Sequence, residues 1–228
     1  MGSIREVRTQ HPIAALTFDD GPDEQQTRRI VDVLTRYDAK ATFFMLARRA
    51  EALPEVLALV RSAGHEIALH GDDHSPLVGC STREKFRKIR LGKRRLEGLL
   101  GHRVDFFRPP YGWQDVRAFV AARTAGLEVI GWSTHGSDWL DLMPSQVADR
   151  AADNLKKGSI VLLHDRTEPT PNSGPEALVS DPDRAEVVDE LFGRAADRGI
   201  RLVALGQLLA AGTPLRRPWF WRPIQISA

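Results

Sequence analysis

The chain has 228 residues, of which 42% are apolar and 27% charged, and a formal net charge of +2. That length and composition suit a globular α/β protein with a proper core, and the charge is too small to argue for a nucleic-acid partner. One cysteine, Cys80, excludes an internal disulfide framework, and no apolar run approaches the ~18 residues of a membrane span.

The N-terminal stretch MGSIREVRTQHP lacks the apolar centre of a signal peptide, so the chain reads as soluble and unexported, cytoplasmic or membrane-peripheral. A first apolar run, 13–18, predicts a strand that ends in Asp19, Asp20 and a Gly-Pro turn. The helix predicted over 27–37 places Ile30, Val31, Val33 and Leu34 on one face. A strand over 41–46 follows, then a helix over 54–63 that opens with Pro54 and stops at Gly64. The third strand, 66–69, runs into His70, with His74 four residues on in HGDDH. STRE, a capping-box pattern, opens a helix over 81–100. The fourth strand, 106–108, ends in Arg108 before Pro-Pro-Tyr-Gly, and a helix over 113–125 stops at Gly126. The fifth strand, 127–132, leads to a loop carrying Asp138 and Trp139. A helix over 145–156 and Gly158 precede the sixth strand, 159–163, which ends in His164. A helix over 183–198, Gly199 and a seventh strand, 201–203, complete the alternation.

Seven strands alternating with helices predict an α/β fold with a parallel sheet covered by helices, an incomplete TIM-like barrel. An open twisted sheet is the rival topology, and spacing alone does not separate the two. In either, ligands bind beyond the C-terminal strand ends, and that is where the polar residues collect.

Two adjacent buried carboxylates are costly unless a cation compensates them. His70 and His74 have the spacing to chelate one metal ion, and a carboxylate of the Asp19-Asp20 pair completes a two-His, one-carboxylate set that leaves room for water and substrate. The other aspartate can then serve as a general base toward a water acidified by the metal. Arg108 can pair with that aspartate and keep it ionised, and the Tyr111 N–H can face a developing oxyanion. His164 can be a general acid whose pKa Asp138 raises by charge. Together these groups describe metal-assisted hydrolysis of an acyl bond.

TFDDGP, HGDDH, RPPYG, SDW and LLH occur in the order and approximate spacing of the polysaccharide deacetylases, carbohydrate esterase family four, which the chain resembles over about residues 12–210. The resemblance implies a distorted (β/α) barrel that hydrolyses N-acetyl groups on N-acetylglucosamine-type sugars with one divalent metal ion, zinc ahead of cobalt, nickel or manganese. It implies Asp19 as base and Asp20, His70 and His74 as metal ligands. By the same resemblance Arg108 would pair with Asp19, Tyr111 would supply the oxyanion N–H, Trp139 and Leu162 would line the acetyl-methyl pocket, and His164 would be the acid paired with Asp138. Two departures stand out. Gly71, followed by Asp72 and Asp73, occupies the place where the family often has Ser or Thr, a departure that leaves room for other contacts to hold the metal or for a fourth carboxylate near it. His135 stands where many members carry an acidic residue.

A single catalytic domain over 1–228 is expected, with a basic-aromatic tail over 213–228. In that tail Arg216, Arg217 and Arg222 surround Trp219, Phe220 and Trp221, a pattern that suits either peripheral membrane contact or packing against the barrel. The basic helix over 81–100 reads as a solvated face or a docking surface for an anionic substrate or partner. The expected partner is an acetylated sugar, and the sequence points to no obligate protein partner. The alternatives are a deacetylase of a lipid-linked or small amino sugar or of an O-acetyl ester, and a catalytically silent carbohydrate-binding module.

Overall fold

The computed structural model describes residues 2–168 and 182–218. In chain order the first half contains β1 (Ser3–Arg8), β2 (Ile13–Asp19), α1 (Gln26–Arg36), β3 (Thr42–Leu46), α2 (Ala47–Ala52), α3 (Pro54–Ser62), β4 (Glu66–Gly71) and α4 (Thr82–Leu100). Next come β5 (Phe106–Phe107), a 3-10 turn (Pro110–Gly112), α5 (Val116–Thr124), β6 (Glu128–Val129), β7 (Thr134–His135) and α6 (Pro144–Asp153). The chain continues through β8 (Ile160–His164), α7 (Arg184–Asp197), β9 (Arg201–Val203), α8 (Leu205–Ala210) and β10 (Thr213–Arg217).

Strand alternation splits the apolar residues between two cores. Ala14, Leu16 and Phe18 of β2 join an outer cluster beneath the helices, while Ile13 and Ala15 join an inner one. The same division recurs for Phe43 and Met45 against Phe44, for Ile67 and Leu69 against Ala68, and for Val161 and Leu163 against Ile160. Helices supply the outer layer through their apolar faces, such as Ile30, Val31, Val33 and Leu34 of α1. Phe18 and Phe43 stack at 5.0 Å between ring centroids in this layer.

Among the described residues eight parallel strands form one sheet, in the order β6-β5-β4-β3-β2-β8-β7, with β9 pairing the first half of β2. β1 lies across the gap between the sheet's two ends. Ile4 bridges Ile130 just past β6, and the Val7 N–H donates to Gly158 O at 2.9 Å just before β8. The sheet is therefore curled into a distorted, incompletely closed (β/α) barrel. Leu205 and Leu208 of α8 join Ile13, Ala15 and Val203 in the inner cluster, so α8 plugs the end where the strands begin. Thr42 and Glu66 accept from the first amides of α8, Leu205 N and Gly206 N, at 2.8 and 3.1 Å.

Three features differ from the sequence reading. The strand expected over 127–132 shortens to Glu128–Val129, and a separate β7 pairs with β8 instead. Residues 213–217, expected to open a tail, form β10, which pairs antiparallel with β1. Both strands are short, with mixed burial, so alternation alone does not mark them. Arg216 pairs with Glu128 at 2.7 Å, whereas Trp219, Phe220, Trp221 and Arg222 lie outside the described residues. No helix among the described residues is long and apolar enough to cross a membrane.

Gly158 is where β1 approaches closest. Its φ is +86°, and an added Cβ would lie 1.8 Å from Val7 O. Gly158→Ala is therefore expected to destabilise the fold by about 2 kcal/mol or more. Gly193, exposed in α7 with nothing within 4 Å of an added Cβ, is the control. Gly193→Ala is expected to stabilise by about 0.5–1 kcal/mol. Urea unfolding of the two variants beside the parent chain checks the pair.

Candidate active site

Successive residues of a strand face opposite sides, so two neighbouring aspartates should not share one site. Asp19 is the last residue of β2 and faces inward in register with Ala15 and Thr17. Asp20 enters a left-handed conformation at φ +73°, which breaks the alternation and returns its carboxylate to the same rim. The turn is held from behind: Gly21 O accepts from Leu46 N at 2.9 Å, and Asp165 packs where a Cβ on Gly21 would lie 2.1 Å from Oδ2.

Asp20 is 2% exposed, and His70 Nε2 and His74 Nε2 both lie 3.1 Å from its Oδ1. That oxygen has no hydrogen-bond donor. A carboxylate only accepts, so three converging electron-pair donors call for a cation among them. The three ligand atoms lie within 4.8 Å of one another, a donor set that fits one divalent metal ion. Burial pushes the Asp20 carboxyl up, but the adjoining imidazoles of His70 and His74 and the charge of His164 hold it well below the usual range. Glu168 N–H also donates to Asp20 Oδ2 at 3.1 Å.

The loop between the histidines is built for glycine. Gly71 has φ +144°, and a Cβ there would meet Asp73 O at 2.8 Å. Asp72 is not part of the Asp20–His70–His74 group. It is 6% exposed and is held by Arg48 Nε at 2.9 Å and Arg95 Nε at 2.8 Å. Its two arginine contacts, one of them from α4, brace the loop. Gly92 of α4 lets the helix approach, because a Cβ would sit 2.7 Å from Asp72 N. Asp73 instead accepts from Ser75 N at 3.1 Å.

Arg108 is wholly buried beneath the rim. Its Nη1 donates to Asp19 Oδ1 at 2.6 Å and Thr17 Oγ1 at 2.9 Å, and its Nη2 to Gly131 O at 3.1 Å. The guanidinium lies 4.1 Å from the Phe44 ring centroid and 5.7 Å from that of Trp132. Tyr111, at φ +59°, packs its ring 4.1 Å from that of His74. Burial, with Asp20 and Glu168 nearby, pushes its phenol up to about 12.

His164 ends β8 and faces inward beside Asp19, its register partner. Its Nδ1 lies 2.8 Å from Asp138 Oδ1, and its N–H donates to Asp138 Oδ2 at 2.7 Å. Burial pushes the imidazole down, but Asp138 first, then Asp20 and Asp19, push it up to about 9. Trp139 stands edge-on to His164 at 5.7 Å and is 39% exposed. Leu162, two residues earlier on the same face of β8, is 3% exposed. His135 does not touch the acid pair; it stacks on Trp139 at 5.1 Å, and Ser137 Oγ lies 3.1 Å from its Nδ1.

The rim thus brings together Asp19, Asp20, His70, His74, Arg108, Tyr111, Asp138, Trp139, Leu162 and His164. It also includes three to which sequence reasoning assigned no role. Asp165 is buried, accepts from Thr27 Oγ1 at 2.5 Å, and is pushed up to about 7 by burial. Glu168 contributes the N–H to Asp20. Arg184 is 2% exposed and donates to Asp138 Oδ2 at 3.1 Å and His164 O at 2.9 Å. A signal for Arg184 existed: a cation in the first turn of a helix opposes the helix dipole and needs a nearby anion.

The family model for polysaccharide deacetylase matches residues 6–130, more than half of the chain. The peptidoglycan-N-acetylmuramic acid deacetylase PdaC of Bacillus subtilis is 30% identical over 206 residues, covering 89% of this chain and 40% of PdaC, so the chain spans under half of that relative. The solved structure of PdaC superposes with a TM-score of 0.75 at 29% identity, over 90% of this chain and 93% of that one. A peptidoglycan-N-acetylglucosamine deacetylase of Bacillus cereus is 36% identical over 162 residues, 70% of this chain and 76% of the relative. A chitooligosaccharide deacetylase of Sinorhizobium fredii is 31% identical over 201 residues, 87% and 93% of the two chains. Likeness of this extent, in sequence and in fold, makes the chain a member of the polysaccharide deacetylase family.

Proposed function

We propose that this chain removes N-acetyl groups from an N-acetylglucosamine-type glycan by metal-assisted hydrolysis. One observation carries the reading. Asp20, His70 and His74 share a rim with an arginine-paired carboxylate, Asp19, and a carboxylate-paired imidazole, His164. The relatives act, by their names, on peptidoglycan and chitooligosaccharide, and both contain N-acetylated amino sugars. Asp20, His70 and His74 hold the ion, with zinc the choice that best suits two imidazoles and one carboxylate. When bound, it supplies a Lewis acid that acidifies water and polarises the acetyl carbonyl.

The chain's own groups do the proton work. Asp19, which accepts from Arg108 Nη1, takes a proton from the attacking water. The Tyr111 N–H is assigned to the oxyanion, on its motif and the contact of its ring with His74. His164 gives its proton to the leaving amine, and Asp138 holds the ring for that transfer. Trp139 and Leu162 flank His164 and take the acetyl methyl. The complete set of acid, base and ligands argues against a silent binding module.

Exhaustive chelation is expected to abolish acetate release from acetylated chito-oligosaccharides, and added zinc to restore it; full turnover in metal-free protein contradicts the proposal. Asp20→Ala and His70→Ala are expected to lose metal, whereas Asp19→Asn keeps metal and loses activity, which elemental analysis beside a rate assay decides. If Asp19→Asn loses metal and Asp20→Asn retains it, the two roles are exchanged.

His164→Ala is expected to slow amide hydrolysis by about 10²–10⁴-fold. An aryl acetate, whose leaving group needs no proton, should slow far less; equal losses count against the acid role. With the imidazole pushed up to about 9, the acid form persists at neutral pH and is lost as pH rises through that value. The alkaline limb of the amide rate is therefore expected below about 9 in metal-loaded protein, because the ion offsets the carboxylates that raise the imidazole. That limb should vanish in His164→Ala.

A further inference from the structure

We propose that Arg184 is a positioning residue for the His164–Asp138 acid pair, an inference that rests on the hydrolytic reading above. Arg184 begins α7, directly after the N-cap Asp183, whose side chain accepts from Glu186 N. A cation at this end of a helix faces the positive pole of the helix dipole. Burial at 2% exposure adds a desolvation cost. Nothing about the helix itself favours an arginine there, so the compensation must come from across the site.

It comes from the acid pair. Asp138 is fully buried, and both its oxygens are engaged: Oδ1 with His164 Nδ1, Oδ2 with His164 N–H and Arg184 Nη1. The same Nη1 donates to His164 O at 2.9 Å, and Nη2 donates to Thr167 Oγ1. One planar guanidinium thus fixes the carboxylate, the backbone of the histidine it orients, and the loop that follows. Burial pushes the Asp138 carboxyl up, and the His164 and Arg184 charges bring it below its ordinary value. Residue 135, where the family often places an acid, does not perform this role, since His135 turns to Trp139.

Beyond the Arg184–Thr167 contact, the metal side has anchors of its own. Thr27 holds Asp165, and Arg166 pairs with Asp23 and Glu168 in the same loop. Loss of Arg184 should therefore loosen the acid and spare the metal ligands.

The test uses zinc-loaded full chain and the variants Arg184→Met and Arg184→Lys. Arg184→Met is expected to slow amide hydrolysis by about 10–100-fold, within the range of general-acid contributions. Aryl acetate hydrolysis should fall by less than about threefold, because it bypasses the acid, and zinc content should be unchanged. Arg184→Lys, which keeps charge but not the planar fork, should recover part of the amide rate. In the parent chain the His164 Nδ1 proton should give a far-downfield resonance, which Arg184→Met broadens or removes. Undiminished amide turnover and an intact resonance in folded Arg184→Met would overturn the proposal, as would equal losses on both substrates that track melting temperature. If Arg184→Met does not fold, Arg184→Lys carries the same comparison. If the parent releases no acetate from any acetylated sugar, the hydrolytic reading fails, while the resonance still decides whether Arg184 holds the pair.

Discussion

Arg108 is the largest side chain wholly enclosed in the described structure, and it carries a charge. Burying an unpaired guanidinium costs several kcal/mol even after relaxation, so its surroundings must be arranged around it. Asp19 supplies the opposite charge, Thr17 and the Gly131 carbonyl complete its acceptors, and the Phe44 ring lies against its face. Such a pair does little for net stability, because desolvation cancels most of the attraction. Its consequence is geometric. Asp19 is fixed at the top of β2, and the site is built outward from there.

That constraint explains the graded interior of the barrel. Read upward, the inward residues of β2 are Ile13, Ala15, Thr17 and Asp19. Those of β8 are Ile160, Leu162 and His164. In these two strands the apolar residues at the base join Leu205 and Leu208 of α8 in the inner cluster, and the ionisable residues, Asp19 and His164, stand at the upper ends. The low-dielectric floor strengthens every charge interaction at the rim. It also makes the balance of signs strict: four buried carboxylates, Asp19, Asp20, Asp138 and Asp165, face Arg108, Arg184 and His164. Asp165, which accepts from the Thr27 hydroxyl, is pushed up to about 7 by burial.

The rim is shaped by backbone conformations that most residues avoid. Asp20 at φ +73°, Gly71 at +144°, Tyr111 at +59° and Ser137 at +57° each lie in, or directly beside, a residue of the site. Each turn sends the chain away from its strand end abruptly and brings a side chain back over the barrel mouth. Non-glycine residues in this region carry a local cost, and such costs gather where side-chain direction matters more than local preference. The same logic explains Gly21 and Gly92, whose missing Cβ atoms admit Asp165 and the backbone of the metal loop.

The sequence by itself determined the parts that depend on local pattern. Short apolar runs alternating with helix-like stretches identified seven of the parallel strands, because most of their residues on both faces are buried. The Ser81–Glu84 capping box and the glycine stops bounded the helices, since caps are made by neighbours in the chain. Asp19, Asp20, His70, His74, Arg108 and His164 were legible because ionisable residues at the ends of apolar runs need a reason. Tertiary structure alone decided the rest. The pairing of β1 with β10 is a contact between chain ends, and nothing in either short, half-exposed strand announces the other. The commitment of Asp72 to Arg48 and Arg95, rather than to the metal, depends on the approach of α4 through Gly92. Arg184 reaches Asp138 across 46 residues, a distance over which sequence pattern carries no geometric information. What a single chain cannot encode locally is which distant charge will neutralise a buried one, and at this rim that choice sets the proposed acid, base and metal ligands apart.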